Sequence, residues 1–178
     1  DKEAFAGSVM KRELDGLFKE GVMVAHNAAF DVAMLNAEGR VVPRHICTLR
    51  VARHLDQENK IPEYNLQFLR YYLDLEIEGA AHDAEMDVKV LKGVFDRLFT
   101  KMRPDFESDE ADIDEMIAVS SRPTLFHHFN FGKHRGEAIA EVAKTDRAYL
   151  EWLQAQKIGN PEAEEDRIFT LKSYLKIQ

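Results

Sequence analysis

Two aspartates and one histidine are of the residue types that metal-dependent hydrolysis requires. Asp31 closes the run HNAAFD at 26–31, and His82 and Asp87 begin and end the run HDAEMD at 82–87. Carboxylate oxygens are the ligands that Mg²⁺ prefers, and two-metal hydrolysis needs several of them converging on one place. A histidine, whose ordinary pKa is about 6.5, suits the base that takes a proton from water near neutral pH.

Asp31 is predicted to lie in the first turn of a helix that begins directly after a strand. The apolar run VMVA at 22–25 predicts a fully buried strand. Asn27 suits the N-cap, because its side-chain oxygen can accept a backbone N–H of the first turn, and Gly39 suits the C′ position. An acid in a first turn also stabilises the helix dipole, so Asp31 alone does not establish a site.

His82 and Asp87 can meet only if the helix begins between them. On one continuous helix, residues five apart are separated by about 140° and do not share a face. If Asp83 caps the helix predicted over 83–100, His82 lies in the preceding loop and can fold toward Asp87. A solvated loop histidine is the alternative interpretation of His82 taken alone.

Composition predicts a globular protein. Its 178 residues, 45 % hydrophobic and 31 % charged, suffice for one domain or for one domain with a small appendage. No apolar run approaches the roughly 20 residues needed to cross a bilayer, and nothing at the N-terminus resembles a signal peptide. We therefore expect no membrane partner and a cytoplasmic location. The single cysteine, Cys47, is expected to be a buried thiol without a catalytic role.

The net charge of −8 is unevenly distributed along the chain. Residues 1–102 carry a net charge of −3, residues 103–121 carry −6 and residues 122–178 carry +1. A global excess of acid argues against a protein that binds polyanions over its whole surface. It is compatible with a metal-dependent nuclease, which needs carboxylates in its site and only a local basic path.

The spacing of apolar residues predicts an α/β domain over residues 1–102, with five helices and two short strands. Asn65 is expected to cap one of these helices and Thr48 another. Two short strands cannot cover five helices, so more strands are expected on the N-terminal side. Residues 103–121 are interpreted as a linker that contains a short acidic helix.

Residues 122–178 predict a small α+β domain. The aromatic-rich stretch 124–131 is typical of a strand, and helices are expected over 138–156 and 164–176. Residues 132–136, called here the basic turn, place Lys133, His134 and Arg135 between two glycines. Lys133 and Arg135 are candidate phosphate contacts, and the phenylalanines just upstream could stack on bases. An ordinary turn with solvated cations explains the same residues.

Two motifs and two C-terminal segments of the sequence resemble those of a known family. The run HNAAFD resembles the second motif of the DEDD 3′–5′ exonuclease superfamily, and the pattern HxAxxD from His82 to Asp87 resembles the third motif of its histidine-containing, DnaQ-like branch. The segment CTLRVAR at 47–53 lies between them, as that resemblance requires. The segments FNFGKHRG at 129–136 and YLEWL at 149–153 resemble the C-terminal part of the exodeoxyribonuclease X group.

The resemblance implies an RNase H-like sheet flanked by helices, two Mg²⁺ or Mn²⁺ ions, and removal of nucleotides from the 3′ ends of single- or double-stranded DNA. By motif, Asp31 and Asp87 belong to the metal site and His82 is the general base. Asn27 and Phe30 would support the loop and the packing beside the scissile end. Residues 1–102 would form the exonuclease domain.

One feature of that family is not found. Its first motif is an Asp-x-Glu on an N-terminal strand, and although Asp1 and Glu3 match the letters, no apolar strand precedes them. We therefore expect this chain to be a fragment that lacks the front strands of the fold. We also expect the chain alone to be inactive or nearly so.

Three alternatives stay open. The first is a non-catalytic relative that binds nucleic acid or a protein, and the second is an exonuclease that acts on RNA ends. The third takes His82 and Asp83 as the dipeptide of an HD phosphohydrolase, an all-helical fold that the apolar run before His26 argues against.

Overall fold

The computed structural model describes residues 9–77, 84–103, 108–159 and 164–176, with side chains from residue 13 onward. The described residues fall into two compact units. Unit 1 comprises those within Asp1–Ala52 and Glu63–Ser121, and unit 2 comprises those within Arg53–Pro62 and Arg122–Gln178. Across these described ranges, no helix has the length and apolar character that crossing a membrane requires.

The first eight elements alternate helices with a pair of short strands, as the spacing of apolar residues predicts. They are α1 (Val9–Glu20), β1 (Met23–Ala25), α2 (Ala28–Ala37), β2 (His45–Cys47), α3 (Thr48–Leu55), α4 (Leu66–Tyr72), α5 (Ala84–Met102) and α6 (Asp109–Ser120). The two strands are parallel, and their register pairs Met23 with His45, Val24 with Ile46 and Ala25 with Cys47.

Strand β1 is less buried than predicted. Only Ala25 is buried, whereas Met23 and Val24 are half-buried. A parallel sheet is ordinarily covered on both faces, and among the described residues this sheet has only two strands. The prediction of a fully buried strand was therefore wrong. Cys47 on β2 is buried with 4 % exposure, as expected.

Helix α2 begins after Asn27, but not by the predicted capping bond. Asn27 adopts the left-handed conformation, with φ 64° and ψ 47°, and its side chain makes no cap hydrogen bond. A capping side chain normally requires an extended backbone, and asparagine is one of the few residues that tolerates the left-handed region. Gly39, with φ +70°, ends the helix at the C′ position as predicted.

Helix α4 packs against α5. Asn65 caps α4 as predicted, because its side-chain oxygen accepts the backbone N–H of Phe68 at 2.8 Å. Leu69 of α4 and Val90 and Val94 of α5 are fully buried. This packing fixes the first turn of α5, which carries Asp87.

The acidic segment contributes a packed helix. Ser120 Oγ of α6 accepts the backbone N–H of Cys47 at 2.8 Å and donates to the carbonyl of Met116, and Met116 is fully buried. Asp112, with 2 % exposure, accepts a hydrogen bond from Arg103 Nε at 3.0 Å. Helix α6 therefore forms part of unit 1 and is not an extended connection.

The described part of unit 2 is mainly helical, with α7 (Ile139–Thr145), α8 (Arg147–Lys157) and α9 (Glu165–Leu175). Its core consists of seven buried apolar residues: Phe129, Ile139, Val142, Leu150, Leu153, Leu171 and Leu175. The single helix predicted over 138–156 is divided at Asp146, which has φ −143° and ψ 57° and caps α8 by accepting the Tyr149 N–H.

The strand predicted over 124–131 was wrong. One isolated antiparallel bridge, His128 with Ala138, is present there. The backbone N–H of Thr124 donates instead to the Asp166 carboxylate at 2.9 Å, and that of Phe126 donates to Thr170 Oγ1 at 3.0 Å. Side chains of α9 thus bind the groups that a neighbouring strand would have bound.

Candidate functional site

The two motif aspartates lie where the sequence predicts them in their helices. Asp31 is in the first turn of α2 and Asp87 is in the first turn of α5, and both side chains are half-buried. His82 lies outside the described residues, as does Asp83, so the predicted approach of His82 to Asp87 stays a prediction. Acids in first turns are stabilised by the positive end of the helix dipole.

Asp87 receives one hydrogen bond from a neutral donor. Gln67 Nε2 of α4 donates to Asp87 Oδ1 at 2.7 Å. The other oxygen, Oδ2, has no hydrogen-bond donor among the residues that the structure describes. Gln67 was not among the residues predicted from the sequence, because no local pattern indicates that α4 packs against α5.

A histidine network holds the chain directly before Asn27. His26 Nε2 donates to the carbonyl oxygen of Tyr64 at 2.6 Å, because a carbonyl can only accept. The Thr48 hydroxyl lies 2.9 Å from His26 Nδ1 and 3.3 Å from the carbonyl oxygen of Ala25. Thr48, predicted to cap α3, thus joins the end of β1 to the start of α3 and fixes the run that leads to Asp31.

Asn27 and Phe30 are both exposed, and Phe30 has 64 % of its surface accessible. Met34 lies one turn further along α2 and is 57 % exposed. An aromatic ring next to Asp31 is available to a nucleotide, but the roles given to Asn27 and Phe30 by motif stay predictions.

The donor chemistry of Asp31 and Asp87 fits a hard divalent cation, since both offer carboxylate oxygens. Over the described ranges, no three His, Cys, Asp or Glu side chains come close enough together to hold a metal ion. The described residues therefore contain no complete ligand set.

The basic turn is held by ion pairs to Asp146. Lys133 Nζ lies 2.6 Å and His134 Nε2 lies 3.0 Å from Asp146 Oδ2, and Lys133 also lies 4.8 Å from the centre of the Tyr149 ring. The hydrogen bond from Lys133, followed by that from His134, lowers the pKa of Asp146 to about 2. Hydrogen bonds with Asp146 and then Glu137 raise the pKa of His134.

Arg135 differs from its neighbours in the basic turn. It is exposed, and no acidic partner for it is found among the described side chains. Gly132 is required for packing, because at φ +70° a Cβ there would collide with Tyr149 Oη.

The aromatic residues upstream of the turn do not form the expected stacking surface. Phe129 is a core residue with 3 % exposure, and Phe126 and Phe131 pack against the same core. Trp152 of α8 is an exposed ring of unit 2, with 56 % of its surface accessible, and it stacks on Tyr149 at 5.8 Å between ring centres. Trp152 lies in the run YLEWL, and its exposure could not be predicted from that run.

Asp31 and Asp87 both lie in a segment that matches a known protein family. Residues 1–95, more than half of the chain, match the family described as "Exonuclease". The chain belongs to this exonuclease family. Residues 129–157, which include the whole basic turn and all of α7 and α8, match the family described as "Exodeoxyribonuclease X-like C-terminal".

Two curated relatives match most of this chain. "Exodeoxyribonuclease 10" of Escherichia coli strain K12 and its counterpart in Escherichia coli O6:H1 strain CFT073 are each 29 % identical over 160 residues, covering 86 % of this chain and 64 % of theirs. The chain thus spans slightly less than two thirds of the length of these relatives. No solved structure matches the chain significantly.

Membership of the exonuclease family implies an RNase H-like α/β fold, and the parallel strand pair with its surrounding helices is consistent with it. Exonuclease domains of this type use divalent metal ions. The carboxylates of Asp31 and Asp87, both within the matched residues, have the donor chemistry for such an ion.

Proposed function

We propose that this chain carries the site of a metal-dependent 3′–5′ exodeoxyribonuclease of the repair or proofreading type, which releases nucleotides from DNA 3′ ends. The observation that carries the proposal is the placement of Asp31 and Asp87 in the first turns of α2 and α5, within the segment matched by the exonuclease family. The name of the two Escherichia coli relatives, "Exodeoxyribonuclease 10", supports DNA as the substrate.

In this proposal, Asp31 and Asp87 hold Mg²⁺ or Mn²⁺ and His82 takes the proton from the attacking water. A bound divalent ion in such a site neutralises phosphate charge and lowers the pKa of water. Asn27 and Phe30 contact the terminal nucleotide. Asp31 and Asp87 alone leave two metal ions short of carboxylate ligands, so we expect little activity from these 178 residues alone.

One competing function is a relative that binds nucleic acid without cleaving it, since no Asp-x-Glu on an N-terminal apolar strand is found in this sequence. An activity assay on the full gene product with Mg²⁺ separates the two, using Asp87→Asn as the test and Asp96→Asn as its control. Asp96 lies on the same helix, is exposed and forms an ion pair with Lys92 at 2.6 Å.

We expect Asp87→Asn to lower the rate at least about 100-fold. Replacing a residue that only hydrogen-bonds a metal ligand already costs about 10- to 100-fold in activity, and Asp87 is proposed as a ligand itself. Asp96→Asn should leave the rate unchanged. If Asp87→Asn retains the parent rate while circular dichroism shows an intact fold, Asp87 is only a helix residue and the proposed site is wrong.

We further propose that the basic turn contacts DNA phosphates, mainly through Arg135. What supports this is the exposure of Arg135 and the absence of an acidic partner for it in the described part of the chain. Lys133 contributes less, since its charge is already paired with Asp146.

A further inference from the structure

Asp87 and Gln67 meet because two neighbouring helices are fixed against each other. Val90 and Val94 follow Asp87 by three and seven residues, so the three side chains lie on the same side of α5. Both valines are fully buried, as is Leu69 of α4. The side of α5 that carries Asp87 therefore faces α4.

Gln67 is itself held in place at the start of α4. The Asn65 side chain accepts the N–H of Phe68 at 2.8 Å and donates to Glu63 Oε2 at 2.8 Å. The first turn of α4 thus has a defined position. From this turn the Gln67 amide reaches Asp87 Oδ1 at 2.7 Å.

A neutral donor has a particular consequence for a carboxylate. Glu85, in the same first turn of α5, lies 2.7 Å from Lys89 Nζ, so a cation offsets its charge. Asp87 has no ion pair with a lysine or arginine in the described ranges. The Gln67 amide orients the Asp87 carboxylate without cancelling the negative charge that attracts a cation, and Oδ2 stays available.

We propose that Gln67 is a positioning residue that presents Asp87 Oδ2 to the divalent ion. This rests on the proposed function, because it takes Asp87 as a metal ligand. Hydrogen bonds to ligating carboxylates fix their orientation, and losing one costs 10- to 100-fold in metal affinity. The amide does not touch the ion or the substrate and acts only through Asp87.

Mn²⁺ affinity tests this proposal without depending on activity. Mn²⁺ is titrated into the full gene product, and paramagnetic broadening of the NMR signals in the first turn of α5 gives the dissociation constant. Gln67→Met removes the donor and keeps the length of the side chain. Gln156→Met, at an exposed position of α8, is the matched control.

We expect Gln67→Met to weaken Mn²⁺ binding 10- to 100-fold with an unchanged circular dichroism spectrum, and Gln156→Met to leave it unchanged. Asp87→Asn should abolish the broadening. If Gln67→Met disturbs the fold, Gln67→Asn decides, because it keeps the amide but withdraws it from Asp87 and should weaken binding similarly.

The outcomes separate the two proposals. An unchanged dissociation constant in a folded Gln67 variant, with broadening that still depends on Asp87, overturns the role of Gln67 and leaves the proposed function standing. Broadening that is absent from the first turn of α5 in the parent chain, or that survives Asp87→Asn, contradicts the metal site itself and with it both proposals.

Discussion

Asp87 and Asp146 are both half-buried carboxylates, but the groups that touch them differ. Asp87 accepts a hydrogen bond from the neutral Gln67 amide, and Asp146 is paired with Lys133 and His134. The charge of Asp146 is thus compensated within unit 2, where it fixes the basic turn. The charge of Asp87 is available to a cation.

The pairing of His134 predicts a pH-dependent stability. Its pKa is raised in the folded state by Asp146 and Glu137. Charged His134 therefore stabilises the fold fully below the unfolded pKa of about 6.5, and this contribution is lost as pH rises through the higher folded pKa. We expect His134→Gln to reduce the free energy of unfolding more at pH 5.5 than at pH 8.5.

Urea unfolding at the two pH values measures this difference. His54→Gln, at an exposed position of α3, is the control, and its effect should be small at both pH values. An equal loss of stability from His134→Gln at pH 5.5 and pH 8.5 would show that the ion pair contributes nothing.

At the scale of elements, helix α6 depends on a bond to β2. Ser120 Oγ is the partner of the buried Cys47 N–H, so Ser120→Ala leaves that donor unpaired. We expect a loss of about 1–3 kcal/mol in the free energy of unfolding, the usual cost of a buried unsatisfied group. Ser121→Ala is the matched control, because Ser121 is exposed and bonds only the Ile117 carbonyl of its own helix. Equal effects of the two substitutions would contradict the packing of α6 on β2.

The elements predicted correctly depend on local signals. The Asn65 cap, the Gly39 stop and the long helix α5 are each determined by residues within a few positions of one another, and all three are confirmed. The strand predicted over 124–131 was wrong because the N–H groups of Thr124 and Phe126 bind the side chains of Asp166 and Thr170, which lie 42 and 44 residues further along the chain. Periodicity carries no information about such distant partners.

The residues of the candidate site also differ in whether local sequence patterns predict them. The first-turn positions of Asp31 and Asp87 followed from local patterns. The Gln67 amide could not be assigned, because it requires knowing that α4 packs on α5. The packing of α6 depends on Cys47, 73 residues from Ser120, and was likewise not predictable from composition.

At the scale of the whole molecule, residues 122–178 are the net-positive part of an acidic chain. Each phosphate contact to single-stranded DNA gives a slope of about −0.7 in log affinity against log salt. We expect the double substitution of Lys133 and Arg135 by alanine to flatten that slope by roughly one to one and a half units. Arg135→Ala alone should flatten it by about 0.7 units.

Fluorescence anisotropy with a labelled single strand measures these slopes. Lys144→Ala is the control, since Lys144 is exposed on α7 and paired with Glu141 at 2.7 Å. If the slope and the affinity are the same before and after the double substitution, the basic turn is structural and has no part in binding DNA.

The most direct test of a 3′–5′ exodeoxyribonuclease compares two labels on one DNA oligonucleotide, with Mg²⁺ and the full gene product. We predict that a 3′ label is released at once as a mononucleotide, whereas a 5′ label remains on a ladder that shortens one nucleotide at a time. EDTA and Asp87→Asn should each abolish both patterns. Immediate release of the 5′ label, or release of the 3′ label that persists in EDTA, would contradict the proposed activity.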